Sequence, residues 1–262
     1  MRPIPIDLDQ FLHRLADASG TAIMPFFRTS FTAHDKSQGG AFDPVTEADK
    51  AAEVVIRRMI RDAFPTHGVH GEEFDDEKGS SEFRWIVDPI DGTKAFISGL
   101  PTWGTLIGLT RGGAPALGMM NQPFTRERFW GDGGKALWRG PSGERPIRVR
   151  ACTSLAAATL MTTTPSMFKN DSGERYRALE NEVRFPRYGC DCYAYCMLAA
   201  GHVDLVVETE LKEVDIVPLV PIIEGAGGVI TTWSGEPVTT GGAVVVAGDR
   251  RAHEAALRIL GG

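Results

Sequence analysis

Apolar positions recur at helical spacing over residues 7–27, with Leu8, Phe11, Leu12, Leu15, Ile23, Phe26 and Phe27 on one face. This predicts a packing helix that Asp7 or Asp9 caps and Pro25 kinks or ends. A polar, Gly-rich loop follows over 29–42, with Lys36 as a lone cation. The second helix starts at a capping box of Thr46 and Asp49 and stops at Pro65 after Phe64. Residues 67–73 read as a short strand that ends in a glycine turn and the adjacent acids Glu72 and Glu73. Trp85-Ile86-Val87 then closes a buried strand.

Beyond residue 100 the pattern changes to strands over 103–110, 115–122 and 126–130, joined by short turns, which predicts an antiparallel meander. The Gly-, Pro- and Arg-rich stretch 133–145 reads as the boundary between an N-terminal α+β half (1–138) and a C-terminal α/β half (139–262). In the second half strands (157–164, 183–188, 203–208, 228–233, 243–248) alternate with helices (173–181, 192–200, 215–226). Asp249 caps a last helix that runs to Leu260. The expected class is α/β, a sheet covered by helices.

Composition narrows the function classes. A chain of 262 residues with 42% hydrophobic content can bury a sizeable core, and a net charge of −6 argues against general nucleic-acid or membrane-surface binding. The N-terminal decapeptide has no signal-peptide core and no apolar run approaches spanning length, so a cytoplasmic protein is expected. Cys190, Cys192 and Cys196 match neither a zinc pattern nor a disulfide framework and read as buried thiols.

The chemistry concentrates in residues 85–99, WIVDPIDGTKAFISG. Pro89 fixes the backbone between Asp88 and Asp91, and Gly92-Thr93 then open a helix whose first N–H groups suit an anion. Carboxylates repel phosphate, so acids beside an anion cradle make sense if hard cations bridge the two. Glu72 ends its strand thirteen positions before Trp85, so the two strand ends can bring it near Asp88. Asp215 opens the helix DIVPLVPIIEGAGG and completes a set of four acids.

Taken together, DPVTEAD, GEE, WIVDPIDGTKAF and the Asp215 segment resemble the inositol monophosphatase-like family of Mg²⁺-dependent, Li⁺-sensitive phosphatases, from about residue 43 to 233 and in the family order. The resemblance implies a layered αβαβα sandwich and two or three Mg²⁺ ions, with Mn²⁺ as a substitute. Glu72, Asp88 and the Ile90 carbonyl would hold the first ion, and Asp88, Asp91 and Asp215 the second. Glu72 would also help a weaker third ion through waters, Asp49 and Thr93 would orient and deprotonate the attacking water, and Gly92 and Thr93 would bind the phosphate. It also implies a homodimer.

The segments DGTKAFISG, GCDCYAY and DIVPLVPIIEGAGGVIT look closest to the histidinol-phosphate phosphatase branch, in which Glu208 and Asp191 would meet the organic part of the substrate. An alternative role for Asp191 is to cap the helix that starts at Cys192. The expected reaction is hydrolysis of L-histidinol phosphate, a step of histidine biosynthesis. Inositol 1-phosphate and adenosine 3′,5′-bisphosphate are the alternative substrates, and a non-catalytic phosphate-binding regulator ranks last.

Overall fold

Helix α1 (Ile6–Ile23) ends two residues before Pro25, and α2 (Glu47–Ala63) ends ahead of Pro65, because proline supplies no N–H for another turn. The structure, a computed structural model, describes residues 6–29 and 47–261. Lys36 and Thr46 lie outside the described residues, as does most of the DPVTEAD motif.

β1 (Gly68–Gly71) pairs parallel with β2 (Phe83–Asp91), and Gly71 stands opposite Val87. A short helix α3 (Thr93–Ile97) follows. The antiparallel meander runs through β3 (Gly104–Arg111), β4 (Ala114–Gln122), β5 (Glu127–Gly131), β6 (Ala136–Gly140) and β7 (Gly143–Pro146). These seven strands form one sheet in sequence order. The stretch 133–145, expected as a boundary, is thus largely the last two strands of this sheet, and a division at 138/139 would cut β6. Its Gly, Pro and Arg residues serve a hairpin turn and an exposed edge, a composition that a linker shares.

The second half builds β8 (Thr159–Thr162), α4 (Asn170–Glu182), β9 (Phe185–Tyr188), α5 (Cys192–Ala199), β10 (Leu205–Leu211), α6 (Glu213–Ile216), α7 (Val220–Gly225), β11 (Val229–Thr232), β12 (Gly242–Ala247) and α8 (Arg250–Leu260). Its sheet runs β11-β12-β10-β8-β9, with β8 parallel to both β9 and β10 and β12 antiparallel to its neighbours. Asp249 caps α8 as expected, its carboxylate accepting from the Arg251 N–H at 2.9 Å. The helix expected over 215–226 is broken. Pro218 and Pro221 force a 3₁₀ turn (Val217–Leu219) between α6 and α7.

Five layers result. α1 and α2 cover one face of the seven-stranded sheet, burying Phe11, Leu12, Ile56 and Ile60 against Trp85, Val87 and Ile107. α5, α6 and α7 fill the space between the sheets, where Ile86, Leu106 and Met120 meet Tyr195, Val206 and Ile222. α4 and α8 cover the far face of the second sheet through Tyr176, Leu179 and Ala256. The architecture is the expected αβαβα sandwich, and one shared core joins its halves.

The two halves meet most tightly where β4 faces the 3₁₀ turn. A Cβ on Gly118 would run into the Pro218 carbonyl, so only glycine lets the turn lie flat on the sheet. Gly118→Ala is expected to cost about 1–3 kcal/mol from overpacking. Gly134→Ala, whose Cβ would meet nothing closer than its neighbour Asp132 at 3.4 Å, should stay within about 0.5 kcal/mol of wild type. Urea unfolding of the two variants checks this, and equal midpoints would contradict the contact.

Candidate metal and phosphate site

In a regular strand, residues three apart point to opposite faces. Asp88 and Asp91 nevertheless converge, because β2 carries an irregularity between them. Asp88 pairs with Leu106 and Asp91 with Gly104, so three steps on β2 match two on β3. Pro89, which has no N–H to offer the ladder, sits in this bulge. The Thr105 hydroxyl donates to the Pro89 carbonyl at 2.8 Å and the Ile90 N–H to Asp88 Oδ1 at 3.0 Å, which pins the kink. The chain then turns through Gly92 at φ +85°, where a Cβ would also press within 3.2 Å of Asp191 and of the Trp103 backbone. Thr93 begins α3, its hydroxyl donating to the Ile90 carbonyl at 3.3 Å.

Parallel pairing of β1 and β2 brings Glu72 beside Asp88, as the spacing of the strands implies, and the Glu72 N–H donates to the Val87 carbonyl at 3.2 Å. Asp215 arrives from the other half of the chain on α6, where Oδ2 accepts from the Lys212 N–H at 2.7 Å and caps the helix. Carboxylate oxygens of Asp88, Asp91 and Asp215 lie within 4.8 Å of one another. Asp49 is buried on the first turn of α2, and its charge acts on Asp88.

The electrostatics are those of a site built for a cation. Burial, then the charges of Glu72, Asp91, Asp215 and Asp49, push the Asp88 carboxyl well above its ordinary value. Burial and the charges of Asp191 and Asp215 do the same to Asp91. Burial, with Glu72 adding to it, pushes Asp215 up to about 6. An all-oxygen donor set with surplus negative charge fits a hard divalent ion such as Mg²⁺ or Mn²⁺, so these residues suit the metal that the motifs imply.

Glu72, Asp88, Ile90, Asp91, Gly92, Thr93, Asp191, Glu208 and Asp215 all line one cleft of about 280 Å³. A larger open groove of about 790 Å³ beside α1 holds none of these acids, so it is not where this chemistry is assembled. Asp191 does occupy the N-cap position of α5, at φ +44°, but its side chain makes no capping bond. Asp91 Oδ2 takes that place, accepting from the Cys192 N–H at 2.7 Å. The capping alternative for Asp191 is therefore replaced by a cap from across the cleft. Burial pushes Asp191 up to about 6, with Lys94 and a hydrogen bond to Thr163 opposing it. Glu208 is buried on β10, its two oxygens accepting from the Thr163 N–H at 2.7 Å and the Tyr195 hydroxyl at 2.8 Å.

Tyr195 and Thr163 also line the cleft and brace Glu208, but no spacing or motif ties either to the acids, so they carried no signal in the sequence. Glu53 is another such residue. It is fully buried on α2, bonds Arg57 at 2.7 Å and accepts from the Glu73 N–H at 2.8 Å, which fixes the turn after Glu72. The four cysteines are free thiols; Cys192 and Cys196 are buried as expected, Cys190 is only half-buried because it lies in the loop ahead of α5, and Cys152 is buried as well.

The sequence profile of the inositol monophosphatase family matches residues 7–261. The chain belongs to the inositol monophosphatase family. Family phosphatases are metal-dependent, in keeping with the acidic cluster. The chain is 42% identical to "Bifunctional phosphatase IMPL2, chloroplastic" of Arabidopsis thaliana over 97% of its own length and 76% of that protein. It is 33% identical to a histidinol-phosphatase of Chlorobaculum parvum over 86% of each chain. An inositol monophosphatase from Zymomonas mobilis superposes with a TM-score of 0.89 at 38% identity, over 99% of both chains.

Carboxyl groups held above their ordinary values bind protons more tightly in the folded state, so stability of the metal-free protein falls as pH rises from about 4 through 6. A divalent ion removes that repulsion but competes with protons below this range. Adding Mg²⁺ should therefore raise the melting temperature more at pH 8 than at pH 5. Asp88→Asn should raise the metal-free melting temperature at pH 8 and abolish the Mg²⁺ response. A pH-independent response in thermal melts would mean that the ion binds elsewhere.

Proposed function

We propose that this family phosphatase is a Mg²⁺-dependent phosphomonoesterase that hydrolyses L-histidinol phosphate to L-histidinol and phosphate, acting as a cytoplasmic homodimer. The observation that carries the substrate assignment is the placement of Asp191 and Glu208 in the cleft that holds Asp88, Asp91, Asp215, Gly92 and Thr93. Histidinol phosphate presents a primary ammonium and an imidazole, and both seek carboxylates or hydrogen-bond acceptors. An inositol ring presents only hydroxyls. The histidinol-phosphatase relative supports the same reading.

In this reading Glu72, Asp88 and the Ile90 carbonyl would hold one ion, and Asp88, Asp91 and Asp215 would hold a second. Ions held there would supply charge neutralisation of the phosphate and a lowered pKa for the attacking water. Thr93 and Asp49 orient that water and its proton passes to the Asp49 carboxylate, the Gly92 and Thr93 N–H groups hold the phosphate oxygens, and the ester P–O bond breaks opposite the attack, the leaving alcohol oxygen taking a proton from solvent. Asp191 faces the organic group from the start of α5. Glu208, braced by Tyr195 and Thr163, faces it from β10. Binding of a cationic substrate also offsets the surplus negative charge of the cleft.

Thr93→Ala should lower kcat by about a hundredfold or more while Mg²⁺ affinity changes little, as expected for a proton-handling group. A rise confined to KM would make Thr93 a phosphate-positioning residue instead.

Asp191→Asn should reduce kcat/KM for histidinol phosphate by about ten- to a hundredfold, the range for a lost charge-assisted hydrogen bond. The loss on p-nitrophenyl phosphate, which has no cation to recognise, should be small. Steady-state kinetics on both esters decides the matter, since equal losses would remove Asp191 from substrate selection. Faster turnover of inositol 1-phosphate than of histidinol phosphate by the wild type would overturn the substrate assignment.

A further inference from the structure

Lys212 touches the acidic cluster in two ways. Its backbone N–H donates to Asp215 Oδ2 at 2.7 Å, and its ammonium donates to Glu72 Oε1 at 2.8 Å, across 140 positions of sequence. One residue thereby engages a carboxylate from each half of the molecule. Glu72 is the more buried partner, with 25% of its side chain exposed against 67% for Lys212. The stem of Lys212 thus reaches in from solvent and sets its charge at the rim of the cluster. The charges of Glu72, Asp215 and Asp88 all favour the ammonium form, the bond to Glu72 most of all.

Resting on the metal-ligand roles proposed above, we infer that Lys212 is a resident counter-cation: its ammonium occupies Glu72 when no metal is bound and yields that carboxylate to the incoming ion. Four acids crowded together destabilise the fold unless some positive charge is near. A tethered ammonium supplies it at high effective concentration and needs no ion from solution. A divalent cation makes shorter, stronger contacts to the same oxygen, so it displaces the lysine, which swings outward on its flexible stem. The lysine therefore lowers apparent metal affinity while it protects the metal-free protein. The helix cap is unaffected by the exchange, because it uses the backbone N–H. Arg84 keeps α6 tied to β2 throughout, through its bond to Glu213 at 3.1 Å.

Lys212→Met removes the ammonium and leaves both the cap and the Arg84–Glu213 pair in place. Calorimetric titration with Mg²⁺ should show binding tightened by about two- to fivefold, the scale of a partly exposed ion pair. Thermal melts should show the variant less stable than wild type without metal and equal to it at saturating Mg²⁺. In a Glu72→Gln background the same replacement should leave the metal-free melting temperature unchanged. Unchanged or weakened Mg²⁺ binding by Lys212→Met would overturn the inference, as would a loss of stability equal with and without the ion. Failure of the wild type itself to bind Mg²⁺ would instead overturn the metal-centre reading on which the inference rests.

Discussion

The structure depends on one constraint: several carboxylates must be held close together with little water to separate them. Left to themselves, Asp88, Asp91 and Asp215 would move apart or take up protons, and their raised carboxyl pKa values record that tendency. The fold opposes it with contacts that are individually ordinary. The bulge in β2 turns Asp88 and Asp91 to one side, Asp91 is held by the N–H of Cys192, and Asp215 by the N–H of Lys212. Asp91 is thus anchored by a backbone donor from the other half of the chain, and Asp88 and Asp215 by the Ile90 and Lys212 N–H groups of their own segments, an arrangement that survives rotation of nearby side chains. The energy needed for the crowding comes from the apolar layers on both sides, above all the core shared by the two sheets.

The same constraint explains the placement of the site at the seam. Asp88 and Asp91 belong to the first sheet, whereas Asp215, Asp191 and Glu208 belong to the second half. Neither half alone could assemble the cluster, and the close approach of Gly118 to Pro218 sets their spacing. Pro218 is doubly useful there. It stops α6 soon after Asp215 and presents a flat, N–H-free surface to the sheet. Stability of the seam and geometry of the site are therefore one property of the chain.

The parts of this arrangement that were legible in the sequence are those fixed by local covalent geometry. Pro89 and Gly92 restrict the backbone wherever they occur, so DPIDGT could be read as two rigidly held acids followed by an anion turn. Glu72 could be placed because a short strand must pair with its neighbour, and only pairing with the Trp85 strand brings its end to Asp88. The αβαβα class followed from the family motifs and survived the misread boundary. That misreading arose because 133–145 has the composition of a linker, while the half-buried run of Ala136, Leu137 and Trp138 was too short to signal a strand. The prolines that break the helix after Asp215 were visible, yet apolar periodicity outweighed them. Tyr195, Glu53 and Lys212 were not legible at all, since each acts through a contact with another side chain or a distant turn.

The residues proposed for catalysis and those proposed for selection are drawn from different kinds of element, and the reason is mechanical. The proposed metal ligands sit on a strand end and on the first turn of a short helix, both pinned by backbone hydrogen bonds, as a site tolerant of little displacement requires. The residues proposed to select the substrate sit opposite, at the start of α5 and on β10, and they share Thr163 as a common neighbour. Asp91 links the two sets, because it belongs to the acidic cluster and caps the helix that Asp191 opens. A shift of α5 caused by a different organic group would therefore be felt at the Asp91 carboxylate. In such a site, recognition and metal geometry are coupled through one hydrogen bond, and a change in substrate preference cannot be made on α5 alone without consequence for the chemistry.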